Sequence, residues 1–205
     1  MKNIAILGAS GHGKVVAEIA ELAGYKKIVF FDDNENKSDF ECWTIQGDTN
    51  DLISKLPDFD ACFVAIGDNK VRMEKVNLLL SNNANIISLI HPLASVSKYS
   101  KIQKGSVVMA GAVINSFASI GIACIINTNS TVEHDCSIGD GVHISPNVAI
   151  AGGVSIGYES WIGIGSSVKQ NVTIGSHVTL GMGSVLLEDL PNNINAFGVP
   201  AKVRL

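Results

Sequence analysis

A six-residue repeat in the carboxyl-terminal half of the chain limits the possible folds more than any other feature. Counting in sixes from Ile90 to Leu186 gives seventeen positions, and each is Ile, Val or Leu with no insertion. Four residues after each of the first sixteen comes Ala, Ser, Cys or Val. This small residue lies two places before the next aliphatic, so both point to one face of a strand. The repeat predicts a β-solenoid in which three units close one triangular coil.

Glycine and cysteine occupy regular places in this repeat. Glycine directly follows the aliphatic residue in six units, where we expect it to ease the turn; these glycines are at 121, 139, 157, 163, 175 and 181. Cys124 and Cys136 occupy the small inward position, which predicts a packing role. They are separated by two repeat units, not by the three that would stack them on successive coils. This spacing argues against a disulfide between them.

The pattern resembles the hexapeptide-repeat acyltransferases, and the ending "FGVPAKVRL" resembles the Gly-x-Pro-Ala-Lys tail common in that family. The resemblance implies a left-handed parallel β-helix and a trimer as the working unit. We assign residues 86–205 to this domain, including the tail after Pro191.

Residues 1–85 alternate between short buried strands and amphipathic helices, which predicts a small Rossmann-like α/β domain with a parallel sheet. The loop "GASGHGK" follows the first strand and precedes a helix, a place that suits a phosphate or nucleotide. Its glycines, Gly8, Gly11 and Gly13, do not have the dinucleotide-binding spacing. From the residues alone, a bound nucleotide and a simple turn both remain open. Asp32 and Asp33 fall roughly twenty residues on, where such folds contact a ribose or sugar.

Charge and hydropathy exclude several classes of protein. The formal net charge is −4, and no Lys/Arg cluster favours nucleic-acid binding. No apolar run approaches the roughly eighteen residues that span a bilayer. Gly and His interrupt "MKNIAILGASGHG" too early for a signal peptide. Four cysteines without pairing spacing predict reduced thiols in a cytoplasmic protein.

A histidine between two carboxylates stands out within the repeat, in "TVEHDCSIGDGVH". Val132 points inward, so Glu133, His134 and Asp135 fall on the corner that follows and face outward. A carboxylate on an imidazole nitrogen sets the tautomer and stabilises the cation formed when the ring takes a proton. Either Glu133 or Asp135 could serve in this way, and a solvated surface histidine is the alternative.

Two further histidines lie in the solenoid. His143 falls on a flat wall opposite the corner of His134, so the two cannot meet within one chain. With solenoids packed about a threefold axis, His134 of one copy can face His143 of a neighbour. The reaction site would then be a cleft between subunits. His177 lies at a corner without a flanking carboxylate and is interpreted as solvated.

Several motifs occur together in order: "GASGHGK", "FFDD", "AIGDNKVR", then "NTNSTVEHD" and "GVHISPNVAIAGGVSIG" in the repeat. Together they resemble the sialic-acid O-acetyltransferase-like family, and most closely its UDP-N-acetylbacillosamine-type branch, which N-acetylates nucleotide-linked 4-amino-4,6-dideoxy sugars. The resemblance covers essentially the whole chain. It implies direct acetyl transfer from acetyl-CoA to the sugar amine, without an acyl-enzyme and without a metal.

The resemblance also implies roles for individual residues. His134 corresponds to the general base, and Asp135 to the acid beside it. Asp135 is one methylene shorter than the Glu found in the bacillosamine enzymes, which leaves open whether Glu133 assists. The acetyl-CoA contacts correspond to His143, Ile164 and Gly181. The nucleotide-sugar contacts correspond to Ser10, Gly11, His12, Asp32, Asp33, Gly67, Asn69 and Arg72.

Three other interpretations remain. A sialic acid O-acetyltransferase differs only in the nucleophile of its substrate. A zinc carbonic anhydrase-like hydratase would need histidines that meet between subunits, whereas those at 134, 143 and 177 lack the usual five-residue spacing. A non-catalytic nucleotide-binding scaffold would not bind CoA.

Overall fold

The computed structural model describes residues 2–34 and 39–204, and the chain divides into two compact units, Met1–Ile90 and His91–Leu205. The separation of domains after residue 85 stays a prediction. In the described residues, no helix has both the length and the apolar character needed to cross a membrane.

The first unit is a three-stranded parallel sheet with flanking helices, in which β1 (Asn3–Leu7) lies between β2 (Lys27–Phe31) and β5 (Ala61–Val64). The residues of β1 and β5 are apolar and almost all buried, which is typical of parallel strands covered on both faces of the sheet. Its elements are β1 (Asn3–Leu7), α1 (Gly11–Leu22), β2 (Lys27–Phe31), β3 (Asp39–Phe40), β4 (Trp43–Thr44), α2 (Thr49–Ser54), a 3₁₀ turn (Leu56–Asp58), β5 (Ala61–Val64), α3 (Asn69–Ser81) and β6 (Leu89–Ile90).

The glycine loop between β1 and α1 requires Gly8 for two reasons. Its φ of 112° is unfavourable for other residues, and a Cβ there would lie 2.7 Å from the carbonyl oxygen of Ala65. Gly13 lets α1 approach the Gly8 carbonyl closely. A Cβ on Gly11 would meet nothing within 4 Å, so packing does not require that glycine.

The second unit is the parallel β-solenoid that the repeat predicts, and the predicted fold class is confirmed. Each strand pairs in parallel with the strand three units later, as in Thr131↔Ala149. The first wall contains β7 (Ser95–Val96), β10 (Val113–Ile114), β13 (Thr131–Val132), β16 (Ala149–Ile150), β19 (Ser167–Val168) and β22 (Val185–Leu186).

Two further walls complete the prism. The second contains β8 (Lys101–Ile102), β11 (Ser119–Ile120), β14 (Ser137–Ile138), β17 (Ser155–Ile156) and β20 (Thr173–Ile174). The third contains β9 (Val107–Val108), β12 (Ile125–Ile126), β15 (His143–Ile144), β18 (Trp161–Ile162), β21 (Thr179–Leu180), β23 (Asn195–Phe197) and, antiparallel at its end, β24 (Lys202–Arg204).

The interior follows the predicted alternation of aliphatic and small residues. The aliphatic positions from Val108 to Leu186 form one buried cluster. The small polar ones tie successive coils together: the Ser160 hydroxyl donates to the Gly175 carbonyl at 2.8 Å, and the Cys124 thiol donates to the Gly139 carbonyl at 3.1 Å. Cys124 and Cys136 are buried, and each thiol donates to a carbonyl of the next coil, in agreement with their predicted packing role.

The prediction that glycine after the aliphatic residue eases the turn is wrong about the physical cause. The left-handed backbone falls two residues later, at every sixth position from 105 to 183, and is held by Gly, Asn and several other residues. Gly139 and Gly157 have no such φ. A Cβ on Gly139 would instead lie 2.8 Å from the backbone nitrogen of Tyr158 on the next coil. These glycines are needed because consecutive coils approach closely.

Candidate functional site

His134 and Asp135 form a hydrogen-bonded pair on the corner between β13 and β14. The Nδ1 atom of His134 lies 2.8 Å from Oδ2 of Asp135, and both side chains are about two-thirds exposed. Asp135 has a φ of 60°, which Asp tolerates better than most residues. Because a carboxylate only accepts, Nδ1 carries the proton. The lone pair of Nε2 is then directed away from Asp135, in the tautomer that a general base needs.

Glu133 points to a different partner. Its Oε2 accepts a hydrogen bond of 2.8 Å from the side-chain amide of Asn115, one coil below. Of the two flanking carboxylates, Asp135 therefore contacts the imidazole, whereas Glu133 forms its hydrogen bond with the neighbouring coil.

His143 lies on the third wall between polar and aromatic neighbours. Its Nε2 is 3.0 Å from the amide nitrogen of Asn127, and its ring stacks on Trp161 with centroids 6.1 Å apart. The Asn127 oxygen accepts the Thr128 backbone N–H, so the amide nitrogen must face the imidazole as a donor. Nε2 of His143 is thus an acceptor, and the neutral ring carries its proton on Nδ1.

The strand assignments place these two histidines apart within one chain. His134 is on the edge shared by the first and second walls, whereas His143 belongs to the third wall, across the prism. Because each strand pairs with the strand three units later, the repeat alone could have predicted that Trp161 of the next coil lies beside His143. Asn127 could not have been identified in this way, since it follows Ile126 at a corner.

The interpretation of His177 as merely solvated is incomplete. Its Nδ1 lies 3.3 Å from Oε2 of Glu159, which precedes it by one coil, and the edge of its ring meets Tyr158 at 4.9 Å. The residues next to His177 in the sequence could not predict this contact, because the carboxylate belongs to the preceding coil.

Two of the residues predicted to contact acetyl-CoA, Ile164 and Gly181, differ in their surroundings. Ile164 is about half exposed at a corner. Gly181 is buried: its N–H donates to the Ala196 carbonyl at 2.8 Å, and its carbonyl accepts from the Ser166 hydroxyl. The Phe197 ring of the tail covers the face where a Cβ would stand. Ile164 is therefore accessible at the surface, whereas the backbone N–H and carbonyl of Gly181 are already hydrogen-bonded within the unit.

The first unit contains a cavity of about 280 Å³ at the carboxyl ends of its strands. Of the predicted nucleotide-sugar residues, Ser10, Asp32, Asp33 and Gly67 line it. Asp32 accepts the Ala9 backbone N–H at 2.7 Å, so it also holds the glycine loop in place.

Lys75 is a lining residue that the sequence reasoning missed. Its ammonium lies 2.6 Å from Oδ2 of Asp33 and 3.1 Å from the Thr49 hydroxyl. Burial, the largest single influence, raises the pKa of Asp33, but the hydrogen bonds from Lys75 and Thr49 outweigh it and lower the pKa overall. No local motif identifies Lys75, because helix α3 brings it to Asp33 from a distant part of the chain.

Arg72 is buried, and His12 is half-buried with its Nε2 atom shielded from solvent. The Arg72 guanidinium, 1% exposed, donates to the carbonyls of Ile66 and Gly67 and to the Asn69 side chain. Burial, and then the Arg72 charge, lower the pKa of His12 to about 4. Its Nε2 is buried without a hydrogen-bond partner among the described residues. Arg72 thus stabilises the loop after β5, and His12 is neutral at pH 7.

Cys136, the thiol nearest in sequence to His134, is not available for attack. Its sulfur is buried and donates to the Ala151 carbonyl at 3.2 Å, and burial raises its pKa. In residues 2–34 and 39–204, no group of three His, Cys, Asp or Glu side chains is placed to hold a metal ion.

Comparisons with known proteins agree with this architecture. The model of the PglD N-terminal domain family matches residues 3–79. The curated UDP-N-acetylbacillosamine N-acetyltransferase of Bacillus subtilis (strain 168) is 36% identical over 120 residues, which cover 54% of this chain and 52% of that protein. The match thus spans about half the length of this curated relative.

Solved structures resemble this chain over its entire length. The acetyltransferase domain of PglB from Neisseria gonorrhoeae FA1090, in complex with acetyl coenzyme A, is 40% identical with a TM-score of 0.94, covering 99% of each chain. A histidine-to-asparagine mutant of perosamine N-acetyltransferase from Caulobacter crescentus, in complex with CoA and GDP-perosamine, is 35% identical with a TM-score of 0.96. That match covers 100% of this chain and 97% of the other.

Proposed function

The chain belongs to the family of acetyltransferases that includes PglB and perosamine N-acetyltransferase, and from this premise we propose that it transfers the acetyl group of acetyl-CoA to the 4-amino group of a nucleotide-linked 4-amino-4,6-dideoxy sugar. The observation that carries the proposal is the His134–Asp135 pair, because it exposes a correctly protonated base on the outer edge of the solenoid.

The proposed reaction is a direct transfer. Nε2 of His134 takes a proton from the sugar amine as the amine attacks the thioester carbonyl, and Asp135 stabilises the imidazolium that forms. The thiolate of coenzyme A leaves. The inward position of Cys136 supports a mechanism without an acyl-enzyme. Positioning of the two substrates supplies most of the acceleration.

The active site lies between copies of the chain. His134 and His143 are on opposite sides of one prism, so a complete site needs His134 from one copy and the acetyl-CoA contacts, His143 and Ile164, from another. A closed threefold ring repeats this contact three times. The proposed assembly is a homotrimer with three shared sites.

The first unit binds the nucleotide part of the substrate. Support comes from the cavity at the strand ends, where the first N–H groups of α1 favour an anion. Ser10, Gly11 and His12 provide the loop, and Asp32 and Asp33 the contacts to the nucleoside. Gly67 completes the lining, and Arg72 holds its loop through hydrogen bonds to the Gly67 carbonyl and the Asn69 side chain. The location proposed for this enzyme is the cytoplasm, because its four cysteines lack the spacing of disulfide pairs.

The test offers acetyl-CoA with UDP-, dTDP- and GDP-linked 4-amino-4,6-dideoxy sugars and records release of free thiol. At least one of these sugars should be acetylated on nitrogen, and His134→Ala should lower its turnover by about 10²–10⁴-fold without loss of fold. Acetylation of a sialic acid hydroxyl alone would favour the O-acetyltransferase. Failure to bind acetyl-CoA would refute both.

A further inference from the structure

The position of the His134 ring depends on a glycine one coil above it. Thr131 pairs with Ala149 and Val132 with Ile150, so Gly152 stands in the same corner position as His134, one coil later. A Cβ built on Gly152 would lie 2.6 Å from both Cε1 and Nε2 of His134 and 3.2 Å from Nδ1. The imidazole therefore rests on the bare backbone of the next coil.

Backbone conformation does not explain this glycine. Gly152 has no positive φ; the left-handed residue of the corner is the next one, Gly153, with a φ of 69°. The equivalent position is filled by residues with a Cβ on every other coil: Lys98, Ser116, His134, Gln170 and Glu188. The contact that excludes a Cβ at Gly152 is the His134 ring.

We propose that Gly152 is a positioning residue for the proposed reaction, because the missing side chain lets the imidazole lie flat against the coil while Nδ1 keeps its hydrogen bond to Asp135. A methyl group at residue 152 would displace the ring and break that hydrogen bond. It would also stand beside Nε2, the atom that takes the proton. The exposed ring can swing into solvent, so the fold itself survives the substitution.

The experiment compares Gly152→Ala with Gln170→Ala, which leaves the same methyl group at the equivalent position one coil further along the corner. Two readouts are measured: kcat and KM in the thiol-release assay, and the ¹⁵N chemical shifts of the His134 imidazole, assigned with His134→Ala. We expect Gly152→Ala to lower kcat by about 10²-fold, as a misplaced catalytic group does. KM for acetyl-CoA should stay unchanged, and the ring should lose its Nδ1–H tautomer. Gln170→Ala should change neither readout.

A second background separates positioning from other roles. In His134→Ala, adding Gly152→Ala should reduce the residual rate no further, since the ring that it displaces is absent. A further loss there, or an unchanged tautomer in Gly152→Ala, would overturn the proposal. The tautomer measurement needs no substrate, so it distinguishes failure of this inference from failure of the proposed acetyl transfer.

Discussion

At the scale of single residues, the chemistry of the site depends on which atom of each side chain accepts a hydrogen bond. Asp135 accepts from Nδ1 of His134, which leaves Nε2 to receive a proton. Alternation along the strand was sufficient to predict that His134 and both flanking acids face outward. It could not choose between the acids, because that choice depends on Asn115, which binds Glu133 from the coil below.

Replacing Asp135 by Asn tests this tautomer. Asn already occupies the equivalent left-handed positions 129, 147 and 171, so the backbone should be retained. The new amide would donate to Nδ1 and move the ring proton to Nε2, where it blocks proton transfer. We expect kcat to fall by about 10²–10⁴-fold with an unchanged unfolding midpoint. Glu133→Gln is the control; a loss as large as that of Asp135→Asn would contradict the assignment.

His12 makes the stability of the first unit depend on pH. Burial and the Arg72 charge lower the pKa of His12 from 6.5 to about 4, so stability is complete above pH 6.5 and is lost as pH falls towards 4. Between pH 7 and pH 5 the loss should be about 2 kcal/mol.

The measurement is urea unfolding at both pH values, followed by Trp43 fluorescence in a Trp161→Phe background. His12→Gln cannot titrate and should lose about 2 kcal/mol less over the same interval. Equal losses in the two proteins would show that His12 is not the group responsible.

At the scale of elements, two kinds of glycine occupy the solenoid for different reasons. Gly157 has an ordinary φ, but a Cβ there would lie 2.5 Å from the Ser176 backbone nitrogen on the next coil. Gly165 has a φ of 69° and open space around its absent side chain. The sequence pattern predicted every inward position. It could not separate these two roles, because one depends on the distance between coils and the other on a backbone angle.

Two substitutions distinguish these roles. Gly157→Ala should lower the free energy of unfolding by about 1–3 kcal/mol, as overpacking does in a filled interior. Gly165→Asn should change it by less than about 1 kcal/mol, because Asn tolerates a left-handed backbone. Thermal unfolding followed by circular dichroism measures both, and the reverse order would contradict the coil-stacking explanation.

At the scale of the whole molecule, the proposed active site needs two copies of the chain, because His134 and His143 lie on opposite sides of one solenoid. The sequence was sufficient to predict that the corner with His134 lies opposite the wall with His143. Counting the six-residue units in threes around the prism assigns each unit to one of its walls. Contacts between residues outside the repeat could not be predicted from the sequence. Lys75 reaches Asp33 through helix α3, and neither position carries a periodic signal that points to the other.

Mixing two inactive variants tests the shared site. His134→Ala and His143→Ala should each be nearly inactive, and each should have the mass of three chains in light scattering. When the two are unfolded and refolded together in equal amounts, random assembly gives about one site in four with both histidines, and so about a quarter of normal activity. Mixtures no more active than the separate variants would place both histidines in the site of a single chain.

The three-unit coil also governs which changes in length the solenoid can accept. Inserting one complete coil ahead of β13 would move His134 and Asp135 about 4.8 Å along the solenoid axis and leave them on the same side of the prism. Inserting a single unit would instead rotate all later residues by a third of a revolution, which would turn His134 away from the neighbouring copy of the proposed trimer. Relatives of different lengths should therefore differ by whole revolutions in this stretch.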